Sequence, residues 1–461
     1  MKRKEHAAFA AEGSGAMMIE QNENATLEEI YRALDEKLEQ AERDPGPLVK
    51  RPPRRPPQKP KRRGCLPLLI VGVLLAAGLI FALTKLGGGQ TPSQTEPPTL
   101  DATSPTGGST VVTIAAGGDV NITPEILSQL RKPDGTYDFS GYFLAAAPLL
   151  SQADVAAVNL EAVFTDQTTG DTSRNAPAAL AEALAQMGVD VVQTANSYSI
   201  LQGLAGLSST METIRNAGMQ TAGTCATAAE YAKTKGVTLV EVKGLKIAFV
   251  AFTKGVGNLN LPEGGDHSVN LLYRDYSSTY SKVDTAQIQT VLDAAKALNP
   301  DITIALLHWG SEYDQTVSST QETIRKLLLS NGVNAIIGTH PHIVGPIVEE
   351  NGTLTAYSIG DLCGLDQDRN ARQSLILELE FTKDNETGEV RLTGYHYTPL
   401  YLATSEESPT GRCRILNVDD EISLYDSGYY TKVSQDVYET LQKTKERLEK
   451  RTAPPEKETA N

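Results

Sequence analysis

IALLHWG at 304–310 and AIIGTHPH at 335–342 are short apolar runs closed by histidine, His308 in the first and His340 and His342 in the second. Apolar runs of this length, bounded by polar residues, have the form of buried strands that present side chains at their carboxyl ends. Working outward, the same form recurs at TIAAGG (113–118), followed by Asp119, and at VAAVNL (155–160), followed by Glu161. Five potential ligands, Asp119, Glu161, His308, His340 and His342, are thereby carried by four strand-like segments. Open α/β sheets build their sites from groups gathered at strand carboxyl ends, so these segments predict a metal site on an α/β fold.

The same rhythm extends through residues 111–402. Strand-like VVTIAA, DVAAVN, VDVVQTA, DITIALL, VNAIIG and SLILELEF are interleaved with helix-like PAALAEALAQMG, LSSTMETIRNAG, TAQIQTVLDAAKAL and TIRKLLLSNG. Strand, helix, strand in succession predicts parallel pairing. The pair VTLVEV and LKIAFVAF, broken at Lys243-Gly244, predicts a hairpin, and with it mixed rather than purely parallel sheets. Residues 403–461 are expected to form a C-terminal extension, with a surface helix in TKVSQDVYETLQKTKERLEKR and a disordered tail.

The chain of 461 residues has a formal net charge of −15, which argues against a general nucleic-acid binder. Its N-terminal part has a different character. Leu66 to Leu83 is an uncharged apolar stretch, close to what a helix needs to cross a hydrocarbon core of roughly 30 Å. Lys50, Arg51, Arg54, Arg55, Lys59, Lys61, Arg62 and Arg63 precede it, and no base follows in GGGQTPSQTEPPTLD. The positive-inside rule then predicts a single-pass membrane protein with a cytoplasmic N-terminus and an extracytoplasmic C-terminal domain. A cleaved signal peptide is the competing reading; the run lies far from the start and lacks a clear small-x-small cleavage site. The expected organisation is a cytoplasmic tail over 1–63, with a short amphipathic helix at NATLEEIYRALDEKLEQ and a basic Pro-rich run, an anchor over 64–85, and a flexible linker over 86–110.

Cys225, Cys363 and Cys413 lie beyond the anchor and Cys65 at its edge, with no CxxC spacing, so a disulfide framework is not expected. His267 and His396 have no motif context and are read as structural or surface residues.

Taken in order, GGDVN (117–121), VNLEAVFT (158–165), VDVVQTANSYS (189–199), GTCATAAEYA (223–232), KIAFVAF (246–252), HWGSEY (308–313), GTHPHIVGPI (338–347) and AYSIGD (356–361) resemble the capsule-synthesis CapA family, the PGA_cap domain. That resemblance implies a fold like the calcineurin-like metallophosphoesterases: two packed mixed β-sheets flanked by helices, a four-layer sandwich, here preceded by one transmembrane helix. It also implies that Asp119, Glu161, His308, His340 and His342 hold metal. Imidazole mixed with carboxylate suits zinc, manganese or iron rather than an all-oxygen calcium cage. One or two divalent ions are expected, in a site that is intact, weakened or lost.

The chain departs from the family where Asn-Asn-His is expected and Asn196-Ser197-Tyr198 stands. A serine hydroxyl is a poorer neutral ligand than an amide carbonyl, and a phenol with an ordinary pKa near 10 does not titrate usefully at neutral pH. Asn121, Trp309, Glu312 and Asp361 complete the candidate site: Asn121 as an added oxygen, Trp309 as a wall or a sugar-stacking face, Glu312 as a brace or ligand contact, and Asp361 as an added carboxylate or a turn closer. Arg174 is a candidate contact for an anionic substrate. The resemblance implies a role in synthesis, export or anchoring of a capsule-type polymer such as poly-γ-glutamate. The expected partners are the membrane, an acidic extracellular polymer and other capsule or envelope synthesis proteins. An active hydrolase of phosphoesters or of the polymer, and a non-catalytic scaffold, remain as alternatives.

Overall fold

The computed structural model describes residues 108–165, 174–366, 368–428 and 433–454. The expected tail (1–63) and membrane segment (64–85) lie outside the described residues, as does nearly all of the linker. Among the described residues no helix is long and apolar enough to cross a membrane.

The chain runs through β1 (Ser109–Val120), α1 (Pro124–Leu130), α2 (Ala147–Ser151), β2 (Val155–Leu160), α3 (Ala178–Gln186), β3 (Val191–Gln193), α4 (Gly203–Asn216), β4 (Gln220–Ala222) and α5 (Ala228–Thr234). It continues with β5 (Thr238–Val242), β6 (Leu245–Thr253), α6 (Thr285–Ala297), β7 (Ile302–His308), α7 (Ser319–Ser330), β8 (Ala335–Thr339), β9 (Ile347–Glu350) and β10 (Thr353–Ala356). The last elements are β11 (Asp361–Cys363), β12 (Gln373–Asp384), β13 (Val390–Ala403), β14 (Arg414–Asn417), α8 (Val418–Asp426) and α9 (Gln435–Thr452).

Two mixed sheets result. One is ordered β14-β13-β12-β1-β2-β3-β4, with β11 also paired to β1; the other is ordered β5-β6-β7-β8-β10-β9. β1 is parallel to β2 and β11 and antiparallel to β12. β6, β7 and β8 are mutually parallel, and β5 and β6 form the hairpin expected at Lys243-Gly244.

Side-chain alternation explains the layers. Val112, Ile114 and Ala116 of β1 share one cluster with Ile247, Phe249 and Ala251 of β6 and Ile302, Ile304 and Leu306 of β7, so alternate residues fill the space between the sheets. The intervening residues face outward: Ala115, Ala156 and Val158 pack against Ile126, Leu180 and Leu184 of α1 and α3. On the other side, Ala248, Val250, Ala305 and Leu307 pack against Ile288, Leu292 and Leu328 of α6 and α7. Strands covered on both faces have no polar alternation, which is why their sequences are continuous apolar runs.

Local signals start the helices. Thr123 caps α1 ahead of Pro124, Asp284 caps α6, and Ser318 and Gln321 form a reciprocal capping box on α7. After β13, β14 adds an edge strand, and Val418, Val433, Val437 and Leu441 seat α8 and α9 against Tyr401 and Leu416.

Candidate metal centre

Five strand ends converge at one edge of the sandwich. Asp119 lies near the end of β1, Glu161 follows β2, Asn196 and Ser197 follow β3, His308 ends β7, and His340 and His342 follow β8. Asp361 opens β11 and pairs in register with Asp119, while Asp119 also pairs with Asn159 across the β1–β2 ladder.

Close backbone crossings make this convergence possible. A Cβ at Gly118 would lie 1.7 Å from the Gly360 carbonyl oxygen, so only glycine lets β1 meet the segment that leads into Asp361. At Gly338 a Cβ would lie 2.1 Å from the Tyr357 carbonyl oxygen and 2.5 Å from Trp309 Nε1. Beyond it, His340 and His342 adopt positive φ values of 92° and 59°. Such conformations are uncommon for side-chain-bearing residues and collect at functional sites.

The expected ligands come together. Asp119, Glu161, His308, His340, His342 and Asp361 are all buried. Ligand atoms lie within 4.8 Å of one another in each of three groups: Asp119, Glu161 and His308; Glu161, His340 and His342; Asp119, His342 and Asp361. His308 Nε2 is 3.4 Å from Glu161 Oε1, and His342 Nδ1 is 2.8 Å from Asp361 Oδ1 and 3.7 Å from Asp119 Oδ2. The His340 backbone N–H donates to Asp119 Oδ2 at 2.9 Å.

Burial sets the protonation. It pushes the Glu161 carboxyl well above its ordinary range, helped by Asp119, and raises Asp119 to about 6. It likewise holds the His308 and His340 imidazoles well below theirs, in the neutral form that ligates metal. Burial also opposes the charge on His342, but the Asp361 carboxylate, its hydrogen bond, Glu161 and Asp119 outweigh it and raise His342 to about 11.

One observation tests whether a metal fits. Both Glu161 oxygens are buried without a hydrogen-bond partner, although they face imidazoles on the opposite sheet. An unpartnered buried carboxyl is costly and rare. A divalent cation satisfies it, and the mixed donor set of carboxylates and imidazoles suits zinc, manganese or iron.

The remaining candidates divide. Ser197 Oγ lies 3.1 Å from His308 Nε2 and so points into the site. Asn196 does not offer its amide there: Nδ2 donates to the Leu160 carbonyl at 2.6 Å and Asn159 Oδ1 at 3.2 Å, and Oδ1 accepts the Tyr198 N–H at 2.9 Å. The Tyr198 hydroxyl accepts from Arg174 Nη2 at 3.0 Å, and burial, with Glu161 nearby, raises its pKa further. Arg174 Nη1 also donates to Asn121 Oδ1. Trp309 is wholly buried, stacks on Tyr357 at 5.6 Å and donates to its carbonyl at 2.9 Å, which makes it a wall residue with no ring face for a sugar. Glu312 is exposed and stands outside the ligand groups. Asp361 is the added carboxylate rather than only a turn closer.

Two participants escaped the sequence reading. Asn159 Nδ2 donates to Asp119 Oδ1 at 2.5 Å and lies 3.3 Å from His308 Nδ1, joining the two sheets; its place within VNLEAV was the available signal. Lys254, two residues past the KIAFVAF stretch, donates from Nζ to the Gly310 carbonyl at 2.6 Å, and its charge helps keep His308 and His340 neutral.

The family model described as bacterial capsule synthesis protein PGA_cap matches residues 113–364, more than half of the chain. Over 210 residues the chain is 25% identical to the PGA biosynthesis protein CapA of Bacillus subtilis, covering 46% of this chain and 51% of that protein. Over 183 residues it is 26% identical to the capsule biosynthesis protein CapA of Bacillus anthracis, covering 39% and 41%. The chain thus spans about half or less of the length of these curated relatives. Among solved structures it is similar to the calcineurin-like phosphoesterase YfkN from Bacillus subtilis, with a TM-score of 0.38, 14% identity and coverage of 74% of this chain and 98% of that one. It is also similar to a putative 5'-nucleotidase from Staphylococcus aureus, with a TM-score of 0.40, 13% identity and coverage of 73% and 58%. The chain belongs to the bacterial capsule synthesis protein PGA_cap family.

Proposed function

We propose that this chain is a membrane-anchored, extracytoplasmic member of its family that acts in synthesis, export or anchoring of an acidic capsule-type polymer such as poly-γ-glutamate. Its working centre in this proposal is a divalent-metal site held by Asp119, Glu161, His308, His340, His342 and Asp361. The observation that carries the metal reading is Glu161, whose buried oxygens have no hydrogen-bond donor while imidazoles surround them. Sharing of Asp119, Glu161 and His342 between ligand groups favours two ions over one. When bound, such ions polarise a phosphoryl or carbonyl oxygen.

The chain's own residues argue for weak hydrolysis. Ser197 faces His308, and Tyr198 has no lowered pKa that would make it a proton donor at neutral pH. Loss of a general acid commonly costs about 10²–10⁴ in rate. The convergence of six carboxylate and imidazole ligand candidates favours the second reading, an active hydrolase of phosphoesters or of the polymer.

Metal analysis of the full-length chain, extracted in detergent from metal-replete cells, tests the centre. One to two zinc, manganese or iron ions per chain are expected, and Glu161→Gln should lose them; a metal-free wild type would sink the proposal. Hydrolysis of phosphoesters that appears only in Ser197→Asn/Tyr198→His would mark the native site as degenerate, whereas hydrolysis by the wild type would favour the second reading.

A further inference from the structure

The side chains that surround the buried ligands are not all buried. Asn121, Arg174, Ser197 and Tyr198 are partly exposed, whereas Asp119, Glu161, His308 and Asp361 are at most 1% exposed. A molecule that approaches the inner carboxylates and imidazoles past these four meets one cation among them, Arg174.

Arg174 is held in place from both ends. Its backbone has φ of 56°, and its carbonyl accepts the Val163 N–H at 2.9 Å, while Ala176 N–H donates to the Val163 carbonyl at 2.8 Å. Val163 is two residues beyond Glu161, so this bridge ties Arg174 to the loop that carries a metal-ligand candidate. Asn175 is fully buried, and its Oδ1 accepts the Thr165 N–H at 2.9 Å. The guanidinium lies 4.6 Å from the centre of the Tyr198 ring, donates to the Tyr198 hydroxyl and to Asn121 Oδ1, and thereby has its plane fixed. Those two bonds engage two of the five N–H donors of an arginine. Its charge reaches both Glu161 and Tyr198.

A planar guanidinium in a fixed orientation is suited to an oxyanion, through charge-assisted and directional bonds. Its position beside Tyr198 puts that cation where the chain carries phenol and hydroxyl in place of amide and imidazole. From this arrangement we infer that Arg174, oriented by Tyr198 and Asn121, is the residue that recognises an oxyanion on the substrate and turns it toward the buried ligand set. The oxyanion is the carboxylate of an acidic polymer unit or a phosphoryl group. This deepens the proposed function and rests on it for the substrate class. Tyr198 is a positioning residue here: its ring and hydroxyl set the angle of the guanidinium.

Calorimetric titration of the full-length chain in detergent, loaded with Mn²⁺, tests the inference with inorganic phosphate and a γ-glutamyl tripeptide as probes, and Mn²⁺ content measured in parallel. At least one probe should bind the wild type, and the tighter one identifies the source of the oxyanion. Arg174→Gln should weaken that probe by about tenfold or more, with Arg174→Lys recovering part of the loss. Tyr198→Phe keeps the ring and removes the hydroxyl, and should weaken it about threefold. Mn²⁺ content and melting temperature should be unchanged in all three variants. If Arg174→Gln lowers the melting temperature, Tyr198→Phe decides instead, and unaltered binding in it overturns the inference. Failure of both probes to bind, or equal binding by Arg174→Gln, also overturns it while leaving a metal-loaded centre standing. A wild type without Mn²⁺ whose phosphate binding still depends on Arg174 would support the oxyanion role and remove the metal reading.

Discussion

The two sheets contribute unlike atoms to the same site. The sheet built around β1, β2, β3 and β11 brings oxygens, from Asp119, Glu161, Ser197 and Asp361, whereas the sheet of β7 and β8 brings nitrogens, from His308, His340 and His342. Neither half is a metal site alone. The donors meet only because Ile114, Ala157, Phe249, Ile304 and Ile337 pack the two sheets face to face, and Asn159 bridges the seam with one amide shared between Asp119 and His308. The site is therefore a product of the inter-sheet core, and a bound cation would join the sheets at the edge where carboxylates crowd.

Disturbing the packing inside the nitrogen-bearing sheet should have the largest effect. Gly338→Ala drives a Cβ to 2.1 Å from the Tyr357 carbonyl oxygen, a backbone atom that cannot rotate away, while Gly141→Ala meets nothing within 4 Å. We expect Gly338→Ala to lose more than about 3 kcal/mol of stability, or to be insoluble, and Gly141→Ala to stay within about 0.5 kcal/mol of wild type. Denaturant unfolding of both variants checks this. Similar stabilities would mean that β8 can move away from β10 without cost.

This contrast also bears on what was legible in the sequence. The strands that carry His308 and His340 were readable because burial on both faces leaves unbroken apolar runs with a polar residue at the end. Asp119 and Glu161 were readable for the same reason, and the hairpin at Lys243-Gly244 by its turn residues. The cross-sheet contacts were not readable. Asn159 sits inside an apolar strand without charge or period to mark it, and the His342–Asp361 pair depends on β11 aligning with β1, a register that no local pattern encodes. Arg174 reaches Tyr198 and Asn121 from a loop, and loop geometry leaves little trace in composition. Arg414–Asn417 joins the sheet edge as a strand of four residues, too short to show alternation.

Loading the site sharpens the comparison by a smaller amount. A ligand that binds only the folded chain stabilises it by about 2.7 kcal/mol at one hundred times its dissociation constant. Zn²⁺ or Mn²⁺ should accordingly raise the melting temperature by several degrees, and Mg²⁺ or Ca²⁺, which prefer oxygen donors, by less. Substitution on either sheet should cancel the rise: Glu161→Gln on the oxygen side and His340→Ala on the nitrogen side. In the metal-free chain Glu161→Gln should not destabilise, since the carboxyl it replaces has no hydrogen bond to lose. Thermal scans with and without ion separate these cases. A melting temperature that rises equally in Glu161→Gln would place the ion elsewhere.

The finest probe of the seam is a proton. His342, raised to about 11, is charged at pH 8 in the metal-free site, held by Asp361 across the sheet boundary. Because its folded pKa lies above the ordinary value of 6.5, the stability it contributes is fully present below pH 6.5 and is lost as pH rises through about 11. In the metal-free chain, the loss of stability between pH 7 and 11 should therefore be smaller in Asp361→Asn, where the raising carboxylate is gone. A ligating imidazole must be neutral, so metal uptake at pH 8 should expel that proton, with Glu161 adding to the release if its carboxyl is still protonated. About one to two protons per chain are expected from wild type and about one fewer from Asp361→Asn, read by calorimetry in buffers of different ionisation heat. Equal release from the two would show that Asp361 is not what holds the His342 proton, leaving that charge to Glu161 and Asp119.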